Sequence, residues 1–294
     1  MNLSNLFIKY NIKPYKYKYI NKALIVYSDK IYVIKKNAYK EDLYNFLEGN
    51  DFNLFLRPIN YYEDLVIYNY LENNNKIELN NLLNMINSLA IMHSKTTSFK
   101  ELSLDRVKEI YEGFNDNIDY LYNYYSSLED SFNLNTFNSP EEYLFLRNIS
   151  YIYSNLDFCK YLNELFYELA NKSNKYRECL IINHLDIDNF INGYFTNLDH
   201  ASINSPVYDL IDLYKNYYDK DFNSLYKVYK SNYVLNRLEE VYFLLNISIP
   251  WKISFNDTHF NNTYNVHRLI DYISYNHEFN LLNNKIYEKD NNGN

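Results

Sequence analysis

The chain has 294 residues, 47% of them hydrophobic and 22% charged, which is close to the usage of ordinary globular domains. Its formal net charge of −8 at pH 7 argues against a nucleic-acid partner. It contains 36 Tyr and 18 Phe but only 4 Gly, at positions 49, 113, 193 and 293. This distribution excludes a Gly-rich phosphate-binding loop, because such a loop needs the close backbone approach that glycine permits.

The cysteines and the hydropathy bear on the location of the protein. Cys159 and Cys179 are too few for a disulfide framework, which fits a reducing compartment. No window approaches membrane-spanning length, and the N-terminal residues lack the apolar stretch of a signal peptide. We therefore expect a soluble cytoplasmic protein that has no membrane partner. Its partner could be a small molecule or a protein, and the sequence does not assign it.

The first third of the chain predicts a β-rich lobe. Residues 23–27 and 31–36 are apolar, β-branched and aromatic, with a turn between them, and predict a hairpin. Residues 39–48 suit a short helix that Gly49 ends. Residues 65–71 form another apolar run with strand character.

The middle of the chain predicts helices. From Glu78 the apolar residues recur at helical spacing as far as Thr96, and the pattern stays helical to about residue 175. One helix start is marked by Ser139 as the cap, followed by a proline and, three residues after the cap, by Glu142.

A second hairpin is predicted within the helical part. Strand character returns at residues 179–182, and the Asn192-Gly193 dipeptide predicts a type I′ turn between two short strands at 189–191 and 194–196.

The order of elements predicts an α+β fold. It consists of a small lobe over residues 1–75, a mainly helical lobe with the second hairpin over residues 76–289, and a frayed tail at residues 290–294.

This order resembles that of the aminoglycoside phosphotransferases, the choline kinases and their bacterial spore-coat relatives, which have a two-lobed, protein-kinase-like fold. The resemblance covers nearly the whole chain, and its motifs lie at residues 31–35, 65–71, 91–96, 181–190 and 205–210. The last of these segments closely matches the family's Asp-Pro-x-x-Asp-Leu pattern, with Ser205 at the first position. The resemblance implies that Asp209 is structural and braces the catalytic loop by hydrogen bonds.

The family's catalytic loop reads His-Gly-Asp-x-x-x-x-Asn, where Asp is the base near the substrate hydroxyl and Asn holds a metal ion. An ungapped alignment that matches Asn189 to the family Asn puts His184 at the base position and Ile182 at the His position. Matching His184 and Asp186 to the family His and Asp restores the base, but Ile191 then falls where the Asn belongs.

The predicted second hairpin favours the ungapped alignment. Its turn sets Asn189 across from Thr196 and close to Asn197. The family's second metal ligand is an Asp within an Ile-Asp-Phe-x-x-Ala-like pattern, which residues 196–201 follow with Asn197 in place of the Asp. The resemblance thus implies that Asn189 and Asn197 occupy the metal-ligand positions and that His184 replaces the base.

Lys35 is the residue that the resemblance places at the nucleotide phosphates. Glu41 or Glu48 could form an ion pair with it, and the sequence does not decide between them. Strand alternation puts Val33 and Lys35 on one face of their strand and Lys36 on the other, so Lys35 is expected to face the catalytic loop. The alternative is that Lys35 is one solvated lysine of a pair.

A separate hypothesis concerns the cluster of His184, Asp186, Asp188, Asp199 and His200. The first three alternate along an extended segment and would share one face, as in a metal site or an acid–base pair. On that interpretation the chain is a metal-dependent hydrolase or an altered phosphotransferase that uses Asp186 or Asp188. The alternative is a set of polar loop residues without a ligand role.

The replacements at His184 and Asn197 predict impaired catalysis. We expect a kinase-like protein with a binding or scaffold role, a pseudokinase that binds ATP and Mg²⁺ weakly or not at all. The alternative is an active ATP-dependent phosphotransferase acting on a small hydroxylated or amine-bearing molecule, with Asp186 or Asp199 as the metal ligand.

Overall fold

A five-stranded antiparallel sheet forms the N-terminal part of the chain. The computed structural model describes residues 3–20, 23–36, 40–72 and 77–283, so the predicted tail lies outside the described residues. The predicted hairpin and the predicted strand at residues 65–71 are confirmed and lie in one sheet. Its spatial order is β1 (Lys16–Ile20), β2 (Ala23–Tyr27), β3 (Ile31–Lys36), β5 (Leu65–Asn69) and β4 (Asn60–Tyr62).

One face of this sheet is covered by a helix that the sequence analysis did not assign. Helix α1 (Leu3–Lys9) buries Leu6 against Leu24, Val26 and Ile34, which strand alternation sends to the same side. The intervening residues of β2 and β3 therefore point to the opposite face.

Helix α2 (Glu41–Gly49) ends two residues before a left-handed residue. Gly49 is the last helical residue, but the residue with positive φ is Asp51, at 58°. The amides of Asp51 and Phe52 donate to carbonyls of the last turn at 3.0 and 2.9 Å, which is a Schellman-type termination with Asp in place of the usual Gly. Residue 39, the predicted start, lies outside the described residues.

The predicted second hairpin is confirmed. Strands β8 (Phe190–Ile191) and β9 (Tyr194–Phe195) flank Asn192 and Gly193, whose φ values of 52° and 87° are those of a type I′ turn. The backbone of Phe195 also exchanges hydrogen bonds of 2.8 and 3.0 Å with residues 54–56, just after α2. These bonds attach the hairpin to the segment that follows α2.

The chain divides into two compact units, residues 1–96 with 182–202, and residues 97–181 with 203–294. Helix α3 (Leu79–Thr96) and the second hairpin therefore group with the sheet in the first unit. The boundaries that the sequence analysis drew at residues 75 and 289 stay a prediction.

The second unit is mainly helical. The prediction of helix from residue 96 to about 175 is wrong at β6 (Ser98–Glu101), a fully exposed strand that pairs with β7 (Lys175–Ile181). The elements are β6 (Ser98–Glu101), α4 (Leu104–Asn133), α5 (Pro140–Asn171), β7 (Lys175–Ile181), β10 (Ser202–Asn204), α6 (Val207–Tyr217), α7 (Phe222–Asn232), α8 (Arg237–Ser248) and α9 (His259–Asn283).

Helix α5 begins as predicted. The side chain of Ser139 and that of Glu142 form a reciprocal capping box, and Glu142 Oε2 accepts from the Ser139 amide at 2.8 Å.

Buried tyrosines account for part of the aromatic surplus. The hydroxyls of Tyr125 and Tyr272 donate to the backbone oxygens of Trp251 and Ile247, each at 2.7 Å. A buried ring with a satisfied hydroxyl adds apolar area without an orphaned donor. The hydroxyl of Tyr214 is different, because it is buried and has no hydrogen-bond partner among the described residues.

The predicted α+β class, a β-rich N-terminal part followed by a mainly helical C-terminal part, is confirmed. Among the described residues, no helix has both the length and the apolarity needed to cross a membrane.

Candidate functional site

A cavity of about 790 Å³ lies within the first unit, beside the sheet face that α1 does not cover. Its apolar wall comes from the sheet, the segment after β5 and the second hairpin, and its polar wall from residues 188–200. The apolar lining includes Ile25, Val33, Tyr68, Leu71 and Ile191, and the polar lining includes Lys35, Asp188, Asn189, Thr196, Asn197 and Asp199.

Strand pairing explains why these sheet residues share one wall. Val33 lies opposite both Ile25 and Tyr68, and Lys35 lies opposite both Ala23 and Val66. Directly opposed residues of antiparallel strands project from the same face. Ile25, Val33 and Tyr68 therefore form an apolar row on this face, and the Lys35 ammonium lies beside that row.

Lys35 faces the polar wall, as the strand alternation predicts. Its Nζ lies 3.4 Å from Asn197 Oδ1 and 5.7 Å from the centre of the Tyr68 ring. Lys36 instead forms an exposed ion pair with Asp64 at 3.0 Å. The predicted orientation of Lys35 is confirmed.

The predicted partner of Lys35 is not found in α2. Glu48 forms an ion pair with Arg57 at 2.5 Å, and Glu41 is exposed in the first turn of the helix. The side chain that α2 sends to the sheet is Tyr44, whose buried hydroxyl lies 3.3 Å from that of Tyr68. No local pattern signals this tyrosine pair, because it depends on the packing of α2 on β5.

The loop after β7 has an unusual backbone at two consecutive residues. Asn183 and His184 have φ values of 56° and 55°, a left-handed region that favours Gly and, next to it, Asn. Asn183 Nδ2 donates to His200 O at 2.6 Å and to Ser202 Oγ at 3.0 Å, which holds the loop. In the ungapped alignment Asn183 falls at the family glycine, so the backbone favours that alignment.

The structure brings Asn189 and Asn197 to the same cavity. The Thr196 amide donates to Asn189 O at 2.8 Å across the hairpin, and Asn189 Nδ2 lies 3.4 Å from His184 O. Both asparagines line the cavity with Lys35, whereas His184 and Asp186 do not. The proposed ligand positions therefore hold two neutral amides beside an ammonium.

The remaining acidic residues and histidines are dispersed. Asp186 Oδ1 accepts from the Asp188 amide at 3.0 Å and so caps a short 3₁₀ turn. The backbone oxygen of Asp199 accepts from Lys40 Nζ at 2.5 Å, and the His184 and His200 rings lie 5.9 Å apart. Within the described residues, no three His, Cys, Asp or Glu side chains form a group that could hold a metal ion.

Mg²⁺ does not fit the asparagine pair. This ion prefers negatively charged oxygen ligands in octahedral geometry, and neutral amides compensate its charge poorly. The one amide oxygen whose position is fixed, Asn197 Oδ1, already accepts from the Lys35 ammonium. A cation at that oxygen would have to displace Lys35.

Asp209 lies in the second unit, where it is fully buried in the first turn of α6. Its role in bracing the catalytic loop stays a prediction.

No model of a known protein family matches the chain, and no curated protein matches it significantly. Among solved structures, the chain is similar to an aminoglycoside phosphotransferase from Alicyclobacillus acidocaldarius, with a TM-score of 0.64, 10% identity and 92% of each chain covered. It is also similar to the choline kinase LicA from Streptococcus pneumoniae, with a TM-score of 0.46, 11% identity and coverage of 95% of this chain and 96% of that one. The first similarity shows that the chain has the aminoglycoside phosphotransferase fold.

Proposed function

We propose that this chain is a kinase-like protein with impaired phosphoryl transfer, whose cavity serves for binding in a cytoplasmic scaffold or assembly role. The observation that carries the proposal is the contact between Lys35 Nζ and Asn197 Oδ1 at 3.4 Å. The resemblance implies a metal-binding carboxylate at position 197. The residue at that position is an asparagine, and its amide oxygen accepts from Lys35.

The chemistry of phosphoryl transfer explains why this contact matters. The transferred group develops negative charge that metal ions and cationic side chains must neutralise, and little else is required beyond positioning. Asn189 and Asn197 supply no negative charge to hold a metal ion, and His184 is absent from the cavity lining. Each change alone leaves a route to catalysis, since a histidine can act as a base. Together they remove the charge that holds the metal.

The small lobe supports the same conclusion. β1 ends at Ile20 and β2 begins at Ala23, so only two residues connect these strands, and neither is Gly. A connection of this length does not provide a Gly-rich cover for nucleotide phosphates. Phosphates in this cavity would be held by side chains.

The second candidate is an active ATP-dependent phosphotransferase acting on a small hydroxylated or amine-bearing molecule. One observation favours it: Asp188 and Asp199 line the same cavity as Lys35. In that case one of these carboxylates would take the place of the missing ligand.

The test is calorimetry with ATP and Mg²⁺ on the wild type, Asn197→Asp and Asn192→Asp. The second substitution is the matched control, because it adds the same charge at an exposed turn position that accepts Asp. We expect binding only in Asn197→Asp, where a carboxylate restores a metal ligand next to Lys35. Micromolar, Mg²⁺-dependent binding by the wild type, together with transfer of labelled phosphate to water or to an amino alcohol, would establish the second candidate instead.

A further inference from the structure

Another cavity, of about 240 Å³, lies wholly within the second unit. The end of α6, the turn that leads into α7 and the last part of α9 surround it. It shares no lining residue with the cavity beside the sheet. Sites that enclose a whole small molecule usually measure about 300–1,000 Å³. A space of this size therefore fits one inserted side chain better than a complete ligand.

One residue that lines this cavity has a buried hydroxyl without a hydrogen bond. The Tyr214 side chain is 1% exposed, and its Oη has no partner among the described residues. Burial raises the pKa of Tyr214, and nearby groups that include Glu278 raise it further, so the hydroxyl stays protonated. A buried hydroxyl without a partner destabilises the fold, and a ligand that bonds to its oxygen reduces that penalty.

The walls of the cavity are aromatic. Tyr275 is 41% exposed and Tyr218 is half-buried, and their ring centres lie 5.7 Å apart at an interplanar angle of 64°. The buried rings of Phe222 and Phe279 also line the space. The faces of aromatic rings carry partial negative charge and attract a cation that lies over them. The walls therefore favour a cation over an anion.

The charged residues around the cavity also favour a cation. Three carboxylates and one ammonium line it, those of Asp219, Asp221, Glu278 and Lys220. Lys220 pairs with Asp219 at 3.0 Å, and Asp221 caps α7 by accepting from the Ser224 amide at 3.1 Å. Glu278 is exposed and forms no ion pair or hydrogen bond with another described residue. Its carboxylate is therefore available to a ligand.

A guanidinium group matches these features together. It is planar, so its face can lie on a tyrosine ring while the N–H donors along its edge reach oxygen atoms beside the ring. Here those oxygens belong to the Glu278 carboxylate and the Tyr214 hydroxyl. An ammonium group is more strongly hydrated and has no flat face to stack. Arg is also one of the residues that most often fill pockets at the centre of protein interfaces.

We propose that this cavity receives an arginine side chain of a protein partner. The guanidinium stacks on Tyr218 and Tyr275 and donates to the Glu278 carboxylate and to Tyr214 Oη. The space takes one side chain, so the rest of the partner lies outside it. Because this cavity shares no residue with the one beside the sheet, its occupancy does not depend on metal binding or phosphate transfer there.

The probes are Nα-acetyl-arginine methylamide, its lysine and citrulline counterparts and free arginine, each followed at low salt by saturation-transfer NMR of its own signals. The capped arginine should bind at millimolar concentration. The citrulline derivative has nearly the same shape without the charge and should bind roughly 10-fold more weakly or worse, and the lysine derivative should also bind more weakly. Equal binding of either derivative would overturn the guanidinium class. Binding of free arginine about tenfold tighter than capped arginine would overturn the protein partner, and no binding of capped arginine would overturn the site.

Variants locate the site. Glu278→Gln and Tyr214→Phe should each weaken the binding of capped arginine, roughly 10-fold and roughly 5-fold. Tyr214→Phe removes no hydrogen bond between described residues, so the protein stays folded while the binding falls. The controls are Asp271→Asn, an exposed carboxylate about two turns away on α9, and Tyr125→Phe, since neither residue lines the cavity. Unchanged binding in Glu278→Gln or Tyr214→Phe, or equal losses in the controls, would contradict the assignment.

Discussion

In the second unit, the side chains of Arg177 and Glu239 are 18% and 6% exposed and are bonded to each other, with the guanidinium over the Tyr233 ring. In the first unit, the half-buried Lys35 contacts the amide of Asn197 and the ring of Tyr68 instead. The first arrangement compensates its charges within the fold, so it serves stability. The second gives the cation neutral contacts only, among the described residues, at a position that lines a cavity.

The largest expected effect comes from breaking the compensated pair. Arg177→Met would leave the Glu239 carboxylate buried with the Asn236 amide as its one donor among the described residues, and should lower the free energy of unfolding by about 3–5 kcal/mol. Arg106→Met, which breaks the exposed pair with Glu109, should cost at most about 1 kcal/mol. Urea denaturation of the two variants checks the difference. Equal losses in the free energy of unfolding would mean that the buried ion pair stabilises the fold no more than the exposed one.

A smaller effect is expected from two buried tyrosines of the second unit. Tyr125→Phe removes the donor of the 2.7 Å bond to Trp251 O and should cost about 1–1.5 kcal/mol. Tyr214→Phe removes a buried hydroxyl that has no partner among the described residues, and should be neutral or stabilising by up to about 1 kcal/mol. Thermal unfolding measures both, and a loss in Tyr214→Phe would show that its hydroxyl is bonded.

Removing the uncompensated cation should act in the opposite direction from removing Arg177. Lys35→Met deletes a partly desolvated charge that has no carboxylate partner, and should raise the free energy of unfolding by up to about 1 kcal/mol. Lys36→Met is the control, since it removes only an exposed ion pair and should change little. A clear destabilisation by Lys35→Met would mean that Lys35 is already compensated within the fold and would contradict the comparison.

The smallest expected effect is a pH dependence at an ion pair of the second unit between the exposed His259 and the buried Glu141, in which His259 Nδ1 lies 2.6 Å from Glu141 Oε1. The hydrogen bond to Glu141 and its charge raise the pKa of His259 above 6.5. Burial raises the pKa of Glu141, but its hydrogen bonds, including that to His259, outweigh burial and hold it below 4.5.

The contribution of His259 is therefore fully present below pH 6.5 and is lost as the pH rises through its higher folded pKa. That of Glu141 is present above pH 4.5 and is lost as the pH falls through its lower folded pKa. The melting temperature of His259→Gln should thus fall furthest below that of the wild type between these two values. The exposed His267→Gln is the control, and a gap that is constant with pH would contradict the assignment.

Local signals predicted the parts of the fold that local chemistry determines. The Asn192-Gly193 turn and the capping box at Ser139 form as predicted, because each depends on a few neighbouring residues. Strand alternation likewise placed Lys35 on the cavity face. The strand β6 was missed because its four residues are all exposed and carry no buried face, so only pairing with β7 forms it.

Of the predicted site residues, Lys35, Asn189, Asn197 and Asp199 line one cavity, whereas His184 and Asp186 do not. The positive φ of Asn183 and the pairing of Tyr44 with Tyr68 arise from contacts with residues distant in the sequence, which no local pattern signals. The sequence predicts a glutamate as the partner of Lys35, whereas α2 presents Tyr44 to the sheet and pairs Glu48 with Arg57.

The central claim is that Asn189 and Asn197, with the Asn197 amide bonded to Lys35, do not hold Mg²⁺. It is tested most directly by the affinity of the wild type for nucleotides, measured by calorimetry with Mg²⁺ and then with EDTA. The account predicts that Mg²⁺ does not tighten the binding of ATP. An affinity for ATP that rises about tenfold or more with Mg²⁺ would show that the cavity holds a metal ion and would contradict the account.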